Sequence, residues 1–249
     1  MTTRSGVSTW FVLALLAAAG GAHAQSLSNN PNGPKKPSGQ VPLIGPKGVQ
    51  TITQSNSTTI IPGVAISCNI GSPTFNHTDN SYYRGFTLSA FPALTEPQFL
   101  VQQVTIGVEQ ATAIGTQPIT VRLWNATANP ISGAANPPGN NQVSSDGFNV
   151  SNQALTLLPL TMAAPPVLLV ASDVLAVEVF TPDGTVGGNT FFIGTNSAGQ
   201  TGPSYIKAAP CGVATVTDLA AIGFPAMHIV MQVTGNNQLP VELQSISIE

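Results

Sequence analysis

The stretch LAVEVFTPDG, residues 175–184, alternates: Leu175, Val177 and Val179 sit two apart, Ala176 and Glu178 separate them, and a Thr-Pro-Asp-Gly turn ends the run. Successive side chains of an extended chain point to opposite faces, so the three aliphatic residues share one face that can bury against a second sheet. The same period of two recurs in Val104, Ile106 and Val108, in Ile119, Val121 and Leu123, and in Met227, Ile229, Met231 and Val233. Further strand-sized runs lie at 59–68, 82–91, 154–160, 167–171, 190–194 and 204–208. Turn-rich segments at 125–146, 181–188 and 195–203 separate them. No succession of strand–helix–strand units appears, which argues against a parallel α/β sheet. One short helix is predicted over 217–222, with Thr217 or Asp218 as its cap and Gly223 and Pro225 as its stop.

These runs amount to about ten strands in about 180 residues, more than one immunoglobulin-like domain of about 100 residues holds. The chain shows neither an internal boundary nor the self-similarity of two tandem domains. The expectation is an all-β protein: a single jelly-roll-like antiparallel β-sandwich with little helix, over residues 56–235. Composition agrees. Of the 249 residues 42% are hydrophobic and only 7% charged, with 24 Gly and 21 Pro to serve turns. Such apolar content, arranged in strand-sized blocks, is not that of a disordered chain.

Residues 1–24 have the layout of a secretory signal. Arg4 lies in a short polar start, an apolar run spans 10–19, and Ala22-His23-Ala24 forms a small-x-small cleavage site. The run is too short to span a bilayer, so no transmembrane segment is expected after cleavage. Export to an oxidising space would let Cys68 and Cys211, the only cysteines, pair and persist. That bond would tie an early strand to a late one. Residues 25–55, rich in Pro, Gly, Ser and Asn, read as a disordered linker, and 236–249 as a C-terminal tail.

Charge narrows the function classes. Lys35, Lys36 and Lys47 lie in the linker; beyond it Arg84, Arg122 and Lys207 face ten carboxylates, a net of −7. Nucleic-acid binding needs clustered Lys and Arg to displace phosphate counterions, and the domain has no such cluster.

No catalytic constellation stands out. A hydrolytic triad would have to use His77 or His228, both read as structural, and Ser197 lacks the spacing of a nucleophile elbow. Glycoside hydrolysis would draw a converging pair from Glu109, Asp173, Glu178 and Asp183, with Glu178 expected to face solvent. Calcium, an oxygen-seeking ion, has candidate ligands in Asn76, Asp79 and Asn80; zinc has no matching ligand spacing. Sugar binding needs exposed rings with polar neighbours. Tyr82, Tyr83, Trp124 and Tyr205 are the candidate rings, with Arg84, Asn196 and Gln200 as polar neighbours.

The blocks SYYRGFTL (81–88), ITVRLWN (119–125), LAVEVFTPDG (175–184) and FFIGTNSAGQTGPSYI (191–206), then CG and IGFPAMHIVMQVTG (222–235), resemble a module of secreted bacterial proteins. It is a cysteine-bracketed β-sandwich that occurs alone or appended to exported proteases and other surface proteins. The tail Leu239-Pro240-Val241-Glu242-Leu243 is similar to the segment before C-terminal sorting domains of exported bacterial proteins. The resemblance implies a secreted bacterial protein, extracellular or periplasmic, and assigns it no ligand or activity. The leading expectation is a non-catalytic adhesion, matrix or glycan-contact module whose partner is a cell-surface or matrix glycan or protein. A carboxylate-dependent glycoside hydrolase and a purely structural accessory domain are the alternatives.

Overall fold

A computed structural model describes Ser26–Asn29 and residues 48–237. The expected signal peptide lies outside the described residues, as do most of the expected linker and residues 238–249 of the tail. The strands are β1 Ser26–Asn29, β2 Val49–Thr53, β3 Ile66–Asn69, β4 Asn80–Thr87, β5 Gln98–Thr112, β6 Gln117–Ala126, β7 Gln142–Val150 and β8 Gln153–Thr161. They continue with β9 Val167–Leu169, β10 Val174–Thr181, β11 Thr190–Ile193, β12 Thr195–Asn196, β13 Ser204–Ala208, β14 Val213–Asp218, β15 His228–Ile229 and β16 Met231–Asn236. Three single 3-10 turns, Leu88–Ala90, Ala209–Cys211 and Ala220–Ile222, are the helical elements among the described residues. None is long or apolar enough to cross a membrane.

Two large antiparallel sheets form the body. The first runs β14-β13-β4-β10-β6-β7. In the second, β5 carries β16 and β11 as neighbours, β2 lies outside β16, and β8 and β9 also pair with β5. The alternating residues do what their spacing predicts. Val177 lies opposite Leu123 and Arg84, and Val179 opposite Val121 and Tyr82, which puts one row of each strand on the inner face of the first sheet. Met231 opposite Ile106 and Val233 opposite Val104 and Ile52 supply the facing row from the second sheet. Both rows belong to one buried apolar cluster, so the two sheets close a sandwich.

Four local expectations differ from the structure. The run 59–68 is extended only over β3, because Pro62 and Gly63 break it and its polar backbone is held by side chains. The Glu109 carboxylate accepts the Gly63 and Ala65 N–H groups, at 3.1 and 3.2 Å. The helix expected over 217–222 shrinks to one 3-10 turn, since residues through Asp218 pair with β13 instead. Its punctuation is as read: Asp218 Oδ1 accepts the Ala220 N–H at 2.9 Å, and Gly223 stops the turn at φ +95°. The turn-rich 125–146 contains the start of β7. Finally, the span 25–55 is not all linker: β1 pairs with β3 and β2 with β16, so the folded body begins upstream of residue 56.

The outer faces are covered as well. The connection 127–141 brings Ile131 over the first sheet, where it packs with Tyr83, Trp124, Ala126, Val174, Ala176, Tyr205 and Val216. On the second sheet a smaller cluster joins Ile60, Leu155 and Val230.

Candidate functional site: a cleft at the rim of the sandwich

Of the residues singled out for ligand contact all but the part-exposed Gln200 are buried. Tyr82 points into the main core, its hydroxyl donating to Ile66 O at 3.1 Å. Tyr83 and Tyr205, opposite each other across β4 and β13, are fully buried beneath the 127–141 connection, and Trp124 is 6% exposed beside them. Burial pushes all three phenols up from their ordinary pKa. Asn196 gives its amide N–H groups to Ser57 O and Thr59 O and takes the Ala198 N–H. Gln200 accepts the Ser204 hydroxyl at 2.8 Å. An exposed aromatic platform is therefore not formed by these residues.

Arg84 is fully buried on the inner face of the first sheet, among apolar neighbours. Its Nε and Nη2 donate to Ile229 O at 3.1 and 2.6 Å, its Nη1 to Gly202 O at 2.7 Å, and its Nη2 also to Ser55 Oγ at 3.4 Å. Carbonyl dipoles, not a carboxylate, thus hold the charge, and burial lowers its pKa to about 10.

The four carboxylates considered for hydrolysis serve separate places. Glu178, expected at the surface, is buried on the outer face of the first sheet. It pairs with Arg122 at 2.8 Å and accepts from Ser81 Oγ and Trp124 Nε1. Glu109 holds the backbone at 63–65, Asp173 accepts the Leu169 N–H, and Asp183 the Thr185 N–H. Of the calcium candidates Asn76 and Asn80 are buried and Asp79 is exposed. Asn80 spends its amide on Cys68, Ser67 and Thr78, while Asp79 faces solvent. Among the described residues no three His, Cys, Asp or Glu side chains stand together as a metal site. His77 donates from Nδ1 to Asn189 O and meets Gln117 through Nε2; His228 Nδ1 accepts the Gly199 N–H. Cys68 and Cys211 form a disulfide across 143 residues of sequence.

The site that the fold does build is a cleft of about 760 Å³ where β2, β4 and β14 end and β13 begins. It is lined by Thr53, Gln54, Thr87, Ala90, Phe91, Asn129, Pro130, Thr201, Gly202, Pro203 and Asp218. Phe91 follows the 3-10 turn after β4 and is half-buried: it packs against the main core, its ring 6.0 Å from that of Phe86 between centroids, and it also lines the cleft. Gln54 donates from Nε2 to Gly85 O at 2.7 Å, which fixes the amide's orientation and leaves its buried Oε1 without a protein donor. Asn129 donates to the same carbonyl and to Thr87 Oγ1, at 3.2 and 3.0 Å. The Thr201 N–H binds Gln54 O at 2.9 Å, pinning the lip 201–203 to the end of β2. None of these residues carries a motif. Asn129-Pro130 reads only as a turn, and Phe91 only as the last residue of a strand.

No family model matches the sequence, and no curated protein does. Among solved structures the chain is similar to the cysteine protease and lectin-like domains of Cwp84, a surface layer associated protein of Clostridium difficile. The identity is 8% and the TM-score 0.47 over 78% of this chain and 37% of that one. It is similar also to the clostridial cysteine protease Cwp84 after propeptide cleavage, at 9% identity and TM-score 0.46 over 78% of this chain and 41% of that one. The chain thus spans well under half the length of either.

Proposed function

We propose that this is a secreted, non-catalytic β-sandwich module that contacts glycan at or outside the cell envelope through the rim cleft. The observation that carries the reading is the cleft's lining. A half-buried phenyl ring and two prolines offer flat apolar surface, and hydroxyls, amides and one carboxylate stand around them. A sugar ring has the complementary surface, with C–H groups on its faces and hydroxyls on its edge. Asp218 is the one ionisable side chain in the lining, whereas glycoside hydrolysis by the usual route needs two carboxylates. The disulfide and the signal-like leader support export.

The purified protein should be retained by at least one immobilised oligosaccharide or envelope polysaccharide and should leave it uncleaved. Phe91→Ala should weaken retention by about tenfold, the effect of losing one stacked ring at a binding hot spot. Ile114→Ser, on an exposed turn outside the cleft, should leave it unchanged. Absence of retention on every glycan would make the scaffold reading the better one.

A further inference from the structure

Resting on that reading, we infer that the cleft takes uncharged sugar residues and excludes acidic ones. The inference comes from where the body has spent its cations. Beyond the expected linker there are three: Arg84, Arg122 and Lys207. Arg84 lies directly behind the lip of the cleft, yet no part of it is exposed and its guanidinium donates to Gly202 O, Ile229 O and Ser55 Oγ. Arg122 is paired with Glu178 on the outer face of the first sheet. Lys207 donates to Ala135 O at 2.8 Å, on the connection that covers that face. None of the three lines the cleft.

The lining instead favours donors from the ligand. Asp218 has one carboxylate oxygen occupied by the Ala220 N–H, and no described donor reaches the other. Asn129 has directed its amide N–H groups at Gly85 O and Thr87 Oγ1, so its side-chain oxygen is what it has left to offer. The part-buried Thr87 accepts from Asn129, which leaves its own O–H to donate, and the exposed Thr201 adds a second hydroxyl. Neutral sugar hydroxyls can meet both kinds of group. A uronate, sialate or sulfate would approach a carboxylate with no cation to pair with, inside a body whose three cations face eight carboxylates, a net of −5. Like-charge placement of this kind acts mainly as a device of exclusion.

The test compares matched pairs of oligosaccharides that differ only in a carboxylate or sulfate, for wild type, Asp218→Asn and Phe91→Ala, at low and high salt. Wild type is expected to prefer the neutral member of each pair by about tenfold or more, and Asp218→Asn to narrow that gap to about threefold. High salt should narrow it too, because the repelling charge is part-exposed. Thermal melts of the variants verify folding. Preference for the acidic member, or a preference unmoved by Asp218→Asn, overturns the inference while leaving glycan contact intact. Glycan retention indifferent to Phe91→Ala places the ligand elsewhere and overturns it as well. No retention of either member by wild type removes the underlying reading.

Discussion

His77 is fully buried, a position that ordinarily costs a titratable ring its charge. Its Nδ1–H donates to Asn189 O at 2.9 Å and its Nε2 accepts from the Gln117 amide at 3.2 Å, so the neutral ring is satisfied at both nitrogens. Burial depresses its pKa, although Asp183 and Asp79 pull the other way. The folded state therefore refuses a proton that the unfolded chain accepts near pH 6.5. Stability from this residue is complete above that pH and falls as the medium is acidified toward the folded-state pKa, by up to about 1.4 kcal/mol per pH unit for one proton. Chemical denaturation between pH 7.5 and 5 should show this slope in wild type and a shallower one in His77→Gln; equal slopes would exclude His77 as the source. The ligand-contact candidates show what residue-level reading cannot reach. Alternation correctly puts Tyr82 and Tyr83 on opposite faces, but it says nothing of what lies above each face. Tyr83, Trp124 and Tyr205 do face outward, and Ile131 on the distant 127–141 connection covers them.

At the scale of elements, the second sheet turns on a junction of three backbones. Gly107 N–H donates to Val230 O at 2.9 Å, Val230 N–H to Gly194 O at 2.9 Å, and Gly194 N–H to Gly107 O at 2.7 Å, closing a ring. Here the chain leaves β11, paired with β5, and enters β12, paired with β15. A Cβ on Gly194 would stand 2.5 Å from Gly107 C and 2.6 Å from its Cα, backbone atoms that cannot swing aside. Gly194→Ala should destabilise by roughly 2–4 kcal/mol, whereas Gly147→Ala, with nothing near its Cβ, should stay within about 0.5 kcal/mol. Comparable melting temperatures for the two variants would show that the junction is not tight. Strands β5, β6, β10 and β16 were legible because each buries one alternating aliphatic row between the sheets. Strands β7 and β14 were not, since they border the first sheet and their residues are largely polar or part-exposed. The opposite error, at 59–68, arose because hydrophobic residues there are buried without being paired: Ile60 packs on the outer face of the second sheet.

Over the whole molecule, sequence distance limits what can be read. The cleft gathers residues from the ends of β2, β4 and β14 and from two loops, so none of its members has a neighbour in sequence that hints at a shared role. The disulfide is the exception. Two cysteines in an otherwise cysteine-free chain leave one intramolecular pairing, and that pairing is present. Cys68 lies in β3, which belongs to neither large sheet and pairs with β1; Cys211 closes the 3-10 turn between β13 and β14. The bond therefore fastens the small two-stranded sheet, whose strand β3 is fully buried against the main core, to the edge of the first sheet. Closing 143 residues lowers the entropy of the unfolded chain by an amount worth about 5 kcal/mol, an upper figure in the chain-entropy model. For a domain of this size that corresponds to roughly 10–20 °C in melting temperature. Cys211→Ser, and separately the Cys68→Ser and Cys211→Ser double variant, should show a fall approaching this range. Amide exchange should quicken first at 66–69, where the bond acts beside the hydrogen bonds that Asn80 and Tyr82 of β4 make to β3. An unchanged melting temperature would mean that other contacts already hold β3. A uniform rise in exchange across both sheets would mean instead that the bond stabilises the sandwich as one unit, with no local weak point at β3.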